Sequence, residues 1–118
     1  LTGKGDIFMK KTTEVGQFFA KRGVEIVYGG GDTGCMGALA KGALSAGGKV
    51  HGVIPSWMKA FSHEELELTT NIEVQEMHER KKIMFDMADA FVILPGGLGT
   101  LDEFAEVLLW AGGFLWIF

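Results

Sequence analysis

Two prolines and one cysteine are all that this chain holds of either type among its 118 residues. The lone thiol, Cys35, excludes an intrachain disulfide and lacks the partners a metal–thiolate cluster needs. The histidines, His51, His63 and His78, share no ligand spacing, so metal binding is not expected, and the expectation for cofactors is none. Positive charge is scarce as well: 11 Lys and Arg against 15 Asp and Glu leave a net charge of -4. Without a basic stripe to displace counterions, nucleic acid is not an expected partner. The densest basic run, Arg80-Lys81-Lys82, is short and flanked by acids. Apolar runs are brief; none reaches the roughly 18 residues of a membrane span, and the first residues lack the charged-then-apolar plan of a signal peptide. A cytoplasmic protein without a membrane partner is the expectation. What the chain does have is glycine, 18 residues of it, as expected where a backbone must approach something closely. A hydrophobic content of 47% with 22% charged residues suits an ordinary globular core.

Along the chain, short β-branched runs alternate with helical patterns, and no internal repeat is evident. Thr12 to Arg22 predicts an amphipathic helix with Val15, Phe18 and Phe19 at helical spacing and Gly23 as its stop. A strand follows in "VEIVYGGG", then a small-residue helix in "CMGALAKGALSAGG" that Gly47-Gly48 ends. Lys49 to Pro55 predicts a second strand, and Ser56 to Thr70 a loop with a short helix, where Ser62 and Glu65 have capping-box spacing. Val74 to Ala88 predicts a long helix, Ala90 to Leu94 a third strand, and Thr100 to Ala111 a further helix. The closing "GGFLWIF" has the composition of a fourth strand. Strands separated by helices imply right-handed βαβ units. The expected fold class is α/β: a Rossmann-like, doubly wound parallel sheet flanked by helices, in one domain over residues 1–118. Ligands in such sheets sit at the carboxyl ends of the strands.

Two glycine loops fall at those ends. In "YGGGDTGCMG", Gly29, Gly31 and Gly34 spell a literal G-x-G-x-x-G. A dinucleotide site would need an acid about 20 positions on to hold a ribose, and none appears before Glu64. Gly30 and Gly31 are therefore kept as candidate substrate contacts, with tight backbone packing as the alternative. The second loop is "LPGGLGTLDEF". Gly96, Gly97, Leu98 and Gly99 bare their amides, and Thr100 stands at the N-cap of the next helix, where N–H groups and the helix dipole favour an anion. No lysine follows, so this is not the triphosphate loop of an ATPase, and a monophosphate is the expected guest.

Glu103 completes a capping box with Thr100, which alone would explain both residues. Arg80 gives it a second reading. On a helical wheel Arg80 falls inside the stripe of Met77, Ile83, Met84, Met87 and Ala88, while Glu79, Lys82 and Asp86 take the opposite face. A guanidinium aimed at a core needs a partner, commonly a carboxylate or phosphate; the alternatives to a functional role are snorkelling to the domain edge or a structural ion pair with any of several acids. Lys81 borders the same stripe and can reach the same anion.

Taken in order, "VYGGGDTGCMGALAKGAL", "GVIP", "MHERK" and "LPGGLGTLDE" resemble the LONELY GUY (LOG) family from about Gly16 to Trp110. Its members are phosphoribohydrolases that release a free base from cytokinin riboside 5'-monophosphates or related nucleotides such as AMP. The most specific part is the family's P-G-G-x-G-T-x-x-E motif, met by Pro95, Gly96, Gly97, Gly99, Thr100 and Glu103, with Arg80-Lys81 upstream. The resemblance implies catalysis by Arg80 and Glu103 and a 5'-phosphate held by Gly96, Gly97, Gly99 and Thr100. It implies a small-molecule nucleotide as partner, a homodimer, and a substrate contact at Glu64, whose plainer alternative is a solvated acid. Many members were labelled lysine decarboxylases, yet no lysine here has a Schiff-base context. Family domains run to about 180 residues, so the resemblance implies a fold that lacks its first strand and its C-terminal part. Leu109 stands where many plant members carry a polar residue, which leaves the preferred base open between cytokinin and adenine. A molybdenum-cofactor carrier of the same fold is the rival reading; it needs the anion loop but not the Arg80/Glu103 couple.

Overall fold

A computed structural model describes residues 5–31, 34–61, 66–92 and 94. Helix α1 (Gly5–Lys21) leads into strand β1 (Ile26–Tyr28), helix α2 (Gly34–Ser45) and strand β2 (Val50–Pro55). A 3-10 segment (Ser56–Phe61), strand β3 (Thr70–Val74) and helix α3 (Met77–Met87) complete the order. The strands are parallel and lie in the order β1-β2-β3, with Ile26 opposite Val50 and His51 opposite Thr70.

Glycine ends the first two helices for a stated conformational reason. Gly23 and Gly47 have φ of 72° and 79°, the left-handed region that a side chain resists. At α1, the Val24 N–H donates to the Phe19 carbonyl at 3.0 Å and the Gly23 N–H to Ala20 at 3.1 Å. At α2, Gly48 donates to Ala43 at 2.8 Å and Gly47 to Leu44 at 3.0 Å. Both pairs are the Schellman closure, which satisfies carbonyls that a helix end otherwise orphans.

Strand alternation places helices on both faces of the sheet. Ile26, Tyr28 and Val50 share one face and cluster with Ala40 and Ala43 of α2, with Phe19 of α1 packed against them. Val53 and Val74 have the other parity, are 0% and 1% exposed, and lie on the face that α3 covers. The arrangement is the doubly wound α/β layering expected from the sequence, and no helix among the described residues is long and apolar enough to cross a membrane.

Helix α1 packs chiefly on α2. The seam is built from small residues: a Cβ added at Gly16 would strike the Leu39 carbonyl oxygen, and one at Gly42 the Thr13 carbonyl oxygen. Thr12 is buried at this seam and returns its hydroxyl to the Phe8 carbonyl at 2.6 Å. Phe18 corrects the expected stripe. It sits two residues from Gly16, on the opposite side of the helix, and is half exposed with the Arg22 guanidinium 3.4 Å over its ring.

Two elements differ from expectation. Strand β3 was not expected, and α3 begins at Met77 rather than Val74 because the extended Thr70–Val74 segment pairs with β2. Ala90, Phe91, Val92 and Leu94 form no strand; Phe91 and Val92 are exposed. A run of β-formers becomes a strand only when it pairs with a neighbour, and the described sheet pairs β1, β2 and β3 alone. The expected helix from Thr100, the closing strand and the Ser62/Glu65 cap lie outside the described residues.

At the amino ends of the strands, one histidine ties all three together. The His51 Nε2 lies 2.8 Å from a Glu25 carboxylate oxygen and its Nδ1 lies 3.0 Å from the Thr70 hydroxyl. The hydrogen bond to His51 holds the Glu25 carboxyl below its ordinary value.

Candidate functional site

The carboxyl end of β1 and the first turn of α3 meet at one side chain. Arg80 is 5% exposed, the buried residue of α3, while Glu79, Lys82 and Asp86 are exposed as the wheel predicts. Its apolar neighbours on the stripe, Met77, Ile83, Met84 and Ala88, are half-buried, and Met87 is exposed. α3 is thus a partly solvated helix that sends a cation, and not its methionines, deepest into the fold.

Burying a guanidinium costs several kcal/mol unless polar atoms replace its water. The chain supplies a backbone carbonyl for this: Arg80 Nη2 donates to the Gly29 oxygen at 3.2 Å, and Nη1 lies 3.5 Å from the Met77 sulfur. Gly29 leaves β1 just past Tyr28. The Tyr28 hydroxyl donates to the Gly31 carbonyl at 2.9 Å and folds the loop back on itself. Gly30 takes φ of 82° and lies against Ile54 of β2. The local order of residues therefore explains the geometry: an aromatic hydroxyl closes the turn, a left-handed glycine makes it, and a carbonyl is turned toward α3.

Of the predicted site residues, Arg80, Gly30 and Gly31 are brought to one end of the sheet, and Lys81, half-buried, follows Arg80 on α3. Glu103, Gly96, Gly97, Leu98, Gly99, Thr100 and Glu64 lie outside the described residues. Sequence reasoning missed the supports of the arginine: the Gly29 carbonyl, the Met77 sulfur and the Tyr28 hydroxyl. The available signal was Tyr28 itself, because a tyrosine at the end of a buried strand needs a partner for its hydroxyl.

Chemically, a guanidinium presents a rigid planar fork of five donors that suits a carboxylate or a phosphate. Held in a place shielded from water, it stabilises negative charge far better than it would in bulk solvent.

The family model described as "Possible lysine decarboxylase" matches residues 36–112. The chain is 40% identical to the "Cytokinin riboside 5'-monophosphate phosphoribohydrolase" of Rhodococcoides fascians, over 94% of this chain and 57% of that protein. It is 43% identical to the protein of the same name from Mycobacterium tuberculosis, over 91% of this chain and 56% of that one. The chain thus spans little more than half the length of these relatives. Among solved structures, it is similar to the molybdenum cofactor carrier protein of Chlamydomonas reinhardtii, with a TM-score of 0.74, 26% identity, and coverage of 90% of this chain and 63% of that one.

Proposed function

This chain belongs to the family described as "Possible lysine decarboxylase", and from that membership we propose that it is a nucleoside 5'-monophosphate phosphoribohydrolase. The reaction hydrolyses the N-glycosidic bond of a cytokinin riboside 5'-monophosphate or AMP to a free base and ribose 5-phosphate. The observation that carries the reading is Arg80: a cation buried at the carboxyl end of a parallel strand, where such sheets bind ligands. The names of relatives at 40% and 43% identity support the same activity.

In this reading the C1'–N bond breaks through an oxocarbenium-like state, and a water oxygen adds to C1' while a water proton passes to the base. Glu103 stabilises the cationic sugar and orients the water. Arg80 holds Glu103 through its planar fork and stabilises charge on the departing base. Gly96, Gly97, Leu98, Gly99 and Thr100 bind the 5'-phosphate, a handle remote from the reacting carbon. Lys81, Gly30, Gly31 and Glu64 border the substrate. The proposed working unit is a cytoplasmic homodimer in which residues 1–118 form one nucleotide-binding domain. Sedimentation of the purified protein tests the dimer.

The test of the activity incubates the protein with AMP and with an isopentenyl-type riboside monophosphate and follows the products by chromatography. Free base with equimolar ribose 5-phosphate supports the reading. The likeness to a molybdenum cofactor carrier favours one second reading, a non-catalytic carrier. Absence of free base from every nucleoside monophosphate, together with tight binding of a phosphorylated pterin, decides for it.

A further inference from the structure

We infer that Gly29 is a positioning residue for Arg80, glycine at this place because the guanidinium occupies the space of its side chain; the inference rests on the hydrolase reading for its catalytic consequence. Three observations carry it. Gly29 does not have the positive φ that makes glycine the favoured residue at Gly23, Gly30, Gly34 and Gly47. Its backbone therefore accepts a side chain. A Cβ built there, however, would overlap Arg80 Nη2 and crowd Cζ. The same glycine gives its carbonyl to Nη2 at 3.2 Å, so one residue both clears the space and supplies the anchor.

The identity of the obstructing atoms decides what a substitution does. At Gly16 and Gly42 an added methyl meets backbone carbonyl oxygens, which move only with a helix. At Gly29 it meets the far end of a long side chain, which swings away on its own rotamers. Gly29→Ala thus displaces the guanidinium and leaves the sheet in place. Tyr28 braces the arrangement, since its hydroxyl holds Gly31 and fixes the loop that presents the Gly29 carbonyl. The first glycine loop acts through the arginine at this position, whatever its later glycines touch.

The experiment is a double-mutant cycle on the full chain with Gly29→Ala, Arg80→Ala and the pair, read by steady-state kinetics and thermal melting. A displaced catalytic group costs on the order of 100-fold, so Gly29→Ala is expected to lower kcat by about that factor while KM shifts less than about threefold. In the Arg80→Ala background the same change lowers neither kcat nor Tm further, because the overlapping atoms are gone. Wild-type kcat in Gly29→Ala overturns the inference. So does an equal loss of kcat or of Tm in both backgrounds, which would mean that Gly29 meets the nucleotide or the backbone directly. Should Gly29→Ala fail to fold, a folded double variant supports the inference and an unfolded one overturns it. If the wild type cleaves no nucleotide, the hydrolase reading falls, and the melting cycle alone still decides whether Gly29 makes room for Arg80.

Discussion

Replacing Arg80 by methionine removes the guanidinium while keeping an unbranched stem that fills part of the same space. Two opposed effects on stability follow from its surroundings. The charge-assisted hydrogen bond to the Gly29 carbonyl is lost, a net cost of about 1.5–3 kcal/mol. The desolvation of a guanidinium that is 5% exposed is relieved, a gain of several kcal/mol in the same range. These effects oppose each other, so the variant should still fold and melt cooperatively. Turnover has no such compensation. Removing a preorganised donor that faces developing charge costs roughly 100- to 1,000-fold in kcat. Melting by circular dichroism and free-base release per folded molecule are the two assays. A purely structural arginine would give a different pattern: whatever stability is lost, kcat per folded molecule would be unchanged. That pattern would refute a catalytic Arg80.

Glu103→Gln should abolish turnover, by about 100-fold or more, while calorimetry still detects nucleotide binding; joint loss of binding and folding would mark Glu103 as a cap alone. Gly42→Ala should destabilise by about 1–3 kcal/mol in urea titration, since a collision with the Thr13 carbonyl outweighs the ~1 kcal/mol gained in helix propensity; unchanged stability would contradict the close α1–α2 seam. The Glu25 carboxyl titrates below its ordinary value in the folded chain because of His51. Its contribution is therefore present above the unfolded carboxylate range and fades as pH falls through the depressed value. Melting curves of wild type and Glu25→Gln should differ at neutral pH and converge on acidification, and parallel curves down to about pH 3 would contradict the tie.

Much of the fold was written in short-range signals. Gly23 and Gly47 mark helix ends because only glycine accepts their φ without strain. β2 shows as a β-branched run because both of its faces are covered. β3 was hidden for the opposite reason. As an edge strand of the described sheet it exposes Thr70, Asn71 and Glu73 and buries only Val74 fully, so its pattern reads as polar loop. Val74, three residues before Met77, was then absorbed into the helical spacing of α3. Ala90 to Leu94 misled in the other direction, since composition reports β tendency but not the presence of a neighbouring strand. Arg80 was legible because a charge inside an apolar stripe has no solvated place to go. Its anchor was not, because a backbone carbonyl carries no residue-type signature, and the packing alternative for the first loop pointed only generally at Gly29.

The most direct test of the central claim is a chromatographic time course on one nucleoside monophosphate with the wild type and Arg80→Met side by side. The account predicts that free base and ribose 5-phosphate rise together in equal amounts with the wild type and stay near background with the variant. Equal release by both proteins, or release by neither, would contradict it.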